Sequence, residues 1–231
     1  MHRSSRIAAC AAAIAAATPA APASASLAIS EVLYDADGAD DEREWVEVWN
    51  AGDTPVDLSA WSLGWGGTTL VSGRQALSGS VEAGARFVIG GPLGDAAMPP
   101  FSFGLAIDLE PDLQNGGVTA DAVALFDRPA DAVTAETLPV DVVLYGETND
   151  TGLLDPAGAI AAVDVADAPA GASIERGLDG IWRIQSEPTP GAPPQPVPEP
   201  GSAPLAALAI ATARGLRRVC RRAAGDRSAN V

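Results

Sequence analysis

The 231-residue chain contains no lysine, and its two cysteines and one histidine stand at Cys10, Cys220 and His2, so the stretch 26–190 holds none of the three. Whole chemistries leave with them. Without His and Cys there is no zinc-type ligand set, no base for a Ser-His-Asp triad and no Cys-His pair. Without Lys there is neither a Schiff-base amine nor the phosphate-binding lysine of a P-loop. Positive charge is scarce as well: 26–190 carries six Arg against 28 Asp and Glu, a formal −22 in a chain of −16 overall. Such a surface repels phosphate backbones, which bind through Lys and Arg that displace counterions, and this excludes nucleic acid as a partner. Disulfides are excluded from the same stretch, so the core and sheet pairing must hold it. About 165 residues suffice for that, because a domain of this size buries roughly 70% of its unfolded surface.

What is present reads first as two addresses. At the N-terminus Arg3 and Arg6 precede an apolar run, 7–17, followed by Pro19, Pro22 and the small-residue pattern Ala23-Ser24-Ala25. This order predicts a secretory signal peptide over 1–25, cut after Ala25. At the C-terminus, 188–200 holds seven Pro in thirteen positions, which predicts an extended linker of roughly 40 Å at about 3.1 Å per residue. Residues 203–213 are apolar but number eleven, short of the ~20 needed to span a bilayer unaided. The cluster Arg214, Arg217, Arg218, Arg221 and Arg222 is of the kind retained on the cytoplasmic side.

Val197, Pro198, Glu199 and Pro200, then the apolar run, then Arg217, Arg218, Arg221 and Arg222 resemble the PEP-CTERM sorting tail over 197–222. That resemblance implies a secreted protein, handled by the export machinery and an exosortase-like protease, in transient membrane contact through its tail and bound for the cell surface or extracellular matrix. Residues 223–231 follow as a disordered end. The same residues also fit a lasting membrane anchor.

Between the addresses, short runs of alternating or solid apolar character are separated by Gly, Pro, Asn and Asp, and no long amphipathic helix intervenes. Strands are predicted over 27–34, 44–49, 61–65, 86–89, 122–126, 140–145, 173–176 and 181–184. In 44–49 the alternation puts Val46 and Val48 on one face and Trp45, Glu47 and Trp49 on the other, as in a half-buried strand. Eight such strands point to an all-β antiparallel sandwich over 26–187, with Val46, Val48, Leu63, Val88 and Leu125 buried together.

Several segments in order, Ile-Ser-Glu-Val-Leu-Tyr at 29–34, Glu-Trp-Val-Glu-Val-Trp-Asn at 44–50 and Val-Asp-Leu-Ser-Ala-Trp-Ser-Leu at 56–63, resemble the opening of the lamin-tail domain. Residues 81–89, 141–146, 172–176 and the Pro-Thr-Pro-Gly of 188–191 resemble its later landmarks. The chain departs from the family at Ala60, where Gly usually precedes the Trp, and in the long Asp- and Pro-rich stretch 101–121. The resemblance implies an immunoglobulin-like sandwich with a binding or scaffolding role and no catalytic residues to carry over.

Three groups of residues bear on chemistry. Asp35, Asp37, Asp40, Asp41 and Glu42 crowd one loop around Gly38, hard oxygen donors that suit Ca²⁺ although the spacing is not that of an EF-hand. A solvated acidic turn has the same composition. A carboxylate pair for glycoside hydrolysis is the one catalytic option left, and Glu44 with Glu47 does not supply it because an odd separation puts them on opposite strand faces. Finally, Trp45, Trp49, Trp61, Trp65 and Trp182 either fill the core, Trp61 first among them, or form a platform for a polysaccharide or protein partner. The sequence thus favours an exported, non-enzymatic structural or adhesive module, with a Ca²⁺- or glycan-binding module as the alternative.

Overall fold

The computed structural model describes residues 27–91, 93, 102–115 and 117–194. The predicted signal peptide and sorting tail, including Val197 to Pro200 and the Arg cluster, lie outside the described residues. The described chain forms twelve strands: β1 (Leu27–Leu33), β2 (Trp45–Asn50), β3 (Val56–Asp57), β4 (Ser62–Trp65), β5 (Gly73–Ala76), β6 (Ser80–Val81), β7 (Arg86–Gly90), β8 (Leu105–Ala106), β9 (Asp121–Phe126), β10 (Asp141–Tyr145), β11 (Ser173–Arg176) and β12 (Trp182–Gln185). They assemble into a six-stranded sheet in the order β12-β11-β1-β2-β7-β8, a four-stranded sheet β10-β9-β4-β5 and a small β3-β6 ribbon. Every pairing is antiparallel except β7 with β8. The architecture is the antiparallel sandwich expected from the alternation, of the immunoglobulin-like kind that the resemblance implies.

The two large sheets close on one apolar core. Ile29, Val32, Val46, Val48, Ile89 and Ile174 from the six-stranded sheet meet Leu63, Trp65, Val123, Leu125 and Val143 from the other. Ile29 and Val32 share this face despite an odd spacing, because the pairing of β1 with β2 shifts register between Ile29 and Glu31. That bulge inserts one residue and reverses the alternation, which leaves both Ser30 and Glu31 on the outer face.

Two expectations are corrected. Val88 is buried but belongs to a separate cluster with Leu33, Ala36 and Trp45, since the register sets Val88 opposite Glu47, and Val46 opposite Ile89. The second face of β2 is covered too, with Trp45 and Glu47 both 0% exposed, so the strand is buried on both faces rather than half-buried. The outer face of β9 is likewise closed: Ala122, Ala124 and Phe126 pack with Leu144, Leu153 and Ala161 beneath the loop that follows β10.

Among the tryptophans, Trp45, Trp65 and Trp182 are buried, while Trp61, named first for the core, is only partly buried against it. Trp61 is the residue that ends the short 3-10 turn Leu58–Ala60, where it breaks from the core before β4 begins. Asp57 caps that turn by accepting from the Ser59 N–H, and Ala60 needs no glycine because its φ is not positive.

Candidate functional site

Three places gather polar side chains on this frame. The first is the end of the sandwich that carries the acidic loop. The segment 105–113, part of the Asp- and Pro-rich stretch, alternates: Leu109 and Leu113 are buried in the core and Leu105 and Ile107 pack against it, while Asp108, Glu110 and Asp112 remain on the rim. Trp65 Nε1 and Tyr145 Oη fasten the segment from below, donating to the carbonyls of Pro111 (2.7 Å) and Gln114 (2.8 Å).

This placement brings Asp41, Asp108 and Asp112 together, one carboxylate oxygen of each lying within 4.8 Å of the others. Of the five loop acids singled out by composition, Asp41 is the one that joins the group. Asp40 shapes the loop instead, accepting from Ala36 N–H at 2.9 Å and from Asn115 Nδ2 at 3.3 Å. Glu42 turns the chain at φ 61°, in the left-handed region rarely used by residues with a Cβ, and its N–H donates to Asp108 Oδ1 at 3.2 Å. The Asp37 carbonyl takes a bond from Arg43. Burial, and then Asp40, push the Asp35 carboxyl upward. Burial and then Asp108 and Asp41 do the same to Asp112, and Glu110 is raised chiefly by Asp108.

Beneath this rim lies Glu44, 3% exposed. Its Oε2 accepts from Leu113 N–H at 2.5 Å, and its Oε1 has no hydrogen-bond partner. Burial, followed by the charges of Asp112, Asp40 and Asp108, pushes its carboxyl up to about 9. Composition missed Asp108 and Asp112. The signal was present in the period-two pattern of 105–113, whose apolar residues mark an inward face and whose acids mark an outward one.

The second place is a row of three glutamates. Register pairs Glu31 with both Glu175 and Glu47, so the three sit side by side across β11, β1 and β2. Like charges directly opposite one another destabilise a sheet unless donors offset them. Here donors come from the segment that enters the Pro-rich stretch. Glu31 accepts from Thr189 N–H at 2.9 Å, Thr189 Oγ1 at 3.2 Å and Ser173 Oγ at 2.5 Å. Glu47 accepts from Gly191 N–H at 2.6 Å, Ser30 Oγ at 2.6 Å and Arg86 at 2.8 Å. Glu175 accepts from Thr189 Oγ1 at 3.3 Å.

Pro188, Pro190 and Pro194 are buried in turn. Residues 188–194, expected as the start of the spacer, are therefore packed on the sheet. Burial raises Glu31 to about 7 against the opposing effect of Ser173 and Thr189. Although close, these carboxylates cannot flank a sugar bond, because the segment covers them and none exceeds 8% exposure.

A cavity of about 140 Å³ opens beside this clamp, lined by Ser30, Trp49, Arg86, Arg176, Leu178 and Pro194 among others. Arg86 lies over the Trp49 ring at 5.5 Å and Arg176 over Trp182 at 4.9 Å. Each guanidinium is already paired, Arg86 with Glu47 and Arg176 with Asp141.

Comparison with known proteins adds one match. Residues 20–163 fit the family model described as Lamin Tail Domain. No curated protein matches the chain.

Proposed function

The chain belongs to the lamin tail domain family, and on that premise we propose that it is an exported, non-enzymatic β-sandwich displayed at the cell surface or in the extracellular matrix. Residues 1–25 act as the signal peptide and 197–222 as a sorting tail read by an exosortase-like protease. The partners of the displayed domain are an extracellular polysaccharide or protein. The observation that supports this reading most is where the fold closes. The glutamate row holds Thr189 and Gly191, and among the described residues every strand of the sandwich precedes them. A protease acting near Pro200 would cut beyond all twelve of these strands and beyond the segment that the glutamates hold. A domain without His, Cys or Lys, whose clustered glutamates are covered, also suits binding or scaffolding rather than catalysis.

Intact-mass analysis of the protein recovered outside the producing cells tests the proposal. A product beginning at Ser26 and ending near Pro200 supports it. The loss of six Arg with Asp226 would also make the mature form about five charges more negative than the same chain from Ser26 with its tail uncut. A mass that retains Cys220 and the Arg cluster would make the tail a lasting anchor, and an intact chain confined to the cell interior would overturn export.

A further inference from the structure

The three aspartates at the acidic end come from two separate segments, Asp41 from the loop after β1 and Asp108 and Asp112 from the segment that caps the core. Their oxygens lie within 4.8 Å of one another. Oxygens bound to one Ca²⁺ at 2.3–2.6 Å are at most about 5 Å apart, so three oxygens this close can face a single ion. Three carboxylates at that distance repel one another unless positive charge lies between them, and no arginine forms an ion pair with any of the three among the described residues.

A second observation, independent of the exposed acids, comes from Glu44. It is 3% exposed and bonded through Oε2 to the N–H next to Asp112, and its Oε1 is buried with no partner. A buried carboxyl oxygen left unsatisfied costs about 1–3 kcal/mol, more when it is charged. The bond to Leu113 N–H sets this carboxyl against the backbone next to Asp112, where a cation, or the water such a cation carries, would satisfy the free oxygen.

We propose that Asp41, Asp108 and Asp112 form a Ca²⁺ site that ties the acidic loop to the capping segment, with Glu44 beneath it as a positioning residue that holds an ion-bound water. The ion takes one oxygen from each aspartate and completes its shell with water and loop carbonyls, as hard cations do. Ca²⁺ is favoured over Mg²⁺ because irregular donors on two loops satisfy a flexible shell of six to eight oxygens better than a strict octahedron. The site differs from one confined to the loop: Asp35 and Asp37 contribute nothing to it. The proposal does not depend on export, since it rests on the folded domain alone.

Calorimetric titration of the full chain with CaCl₂ and with MgCl₂ at matched ionic strength tests it. One saturable Ca²⁺ site is expected, with Kd on the order of 10⁻⁴ to 10⁻³ M, as in extracellular modules, and at least tenfold weaker binding of Mg²⁺. Asp108→Asn with Asp112→Asn should abolish binding, Glu44→Gln should weaken it several-fold, and Asp35→Asn with Asp37→Asn should leave it unchanged. Near-UV circular dichroism establishes that each variant is folded. Equal binding of both ions, the absence of a saturable site up to 10 mM (roughly ten times the weakest expected Kd), or loss of binding in the Asp35/Asp37 variant alone would overturn the assignment.

Discussion

Tyr34 and Tyr145 stack face to face, with ring centroids 3.9 Å apart and planes 13° from parallel. One follows β1 of the six-stranded sheet and the other ends β10 of the four-stranded sheet, so the pair joins the two layers at the acidic end. Each hydroxyl is committed: Ala168 N–H donates to Tyr34 at 2.5 Å, and Tyr145 donates to the Gln114 carbonyl. Burial pushes Tyr34 up to about 12 and Tyr145 well above its ordinary range.

The chain has two tyrosines in all, so a whole-protein absorbance titration reads this pair and nothing else. The folded protein should show no phenolate band near 295 nm as pH passes through roughly 10, and the unfolded chain should titrate both groups there. Replacing Tyr34 by Phe leaves the Ala168 N–H without its acceptor and should cost about 1–3 kcal/mol by denaturant unfolding. A normal phenolate step in the folded state would contradict the stacked, buried arrangement.

Glu31 gives a pH prediction with a definite sign. Its folded-state pKa of about 7 stands above the ordinary 4.5, so the folded protein holds this proton more tightly than the unfolded chain. Stability from this group is full below about pH 4.5, falls as pH rises toward 7 and is level beyond. Glu31→Gln keeps an acceptor for Ser173 and Thr189 N–H and removes the charge. It should therefore melt higher than the parent at pH 8, by on the order of 2–3 kcal/mol, with the difference shrinking toward pH 4.5. A variant less stable than the parent at pH 8 would show that the carboxylate is held charged.

Gly73 lies opposite Trp65 in register, and a Cβ there would clash with the Cε2, Nε1 and Cζ2 edge of the indole. Gly73→Ala should displace Trp65 and break its bond to the Pro111 carbonyl, releasing the capping segment 105–113. Amide exchange should accelerate at Leu109 and Leu113 more than in β11, whereas uniform exchange across the domain would argue against this link.

Val48, 0% exposed at the centre of the core, should cost on the order of 1–3 kcal/mol on truncation to Ala through lost burial and a cavity. Thermal or denaturant unfolding measures it directly.

The eight longer strands were legible because their alternation is local. The two-residue strands β3, β6 and β8 and the edge strand β5, with Gly73, Arg74 and Gln75, have too little apolar pattern to announce themselves. Val48 and Val88 look alike as apolar strand residues, but their faces are set by the pairing of β2 with β7, which no single strand encodes. The same holds for Glu31, Glu47 and Glu175. Each looks like an outward polar residue in its own strand, and only register and the returning segment at Thr189 reveal that they are buried in a row. For the candidate cation site, composition pointed to the correct loop and to Asp41, while Asp108 and Asp112 lay hidden in a stretch that reads as a departure from the family pattern.

The position of β1 has a consequence for the timing of assembly. It lies inside its sheet, between β2 and β11, and its Glu31 waits for Thr189, 158 residues further along the chain. A chain delivered N-terminus first can pair β1 with β2 early, but one edge of β1 and its most buried carboxylate stay bare until nearly the whole domain has arrived. Such long-range closure slows folding and exposes an open strand edge meanwhile. The sandwich thus locks only at the end, when Thr189 and Gly191 drop onto the three glutamates.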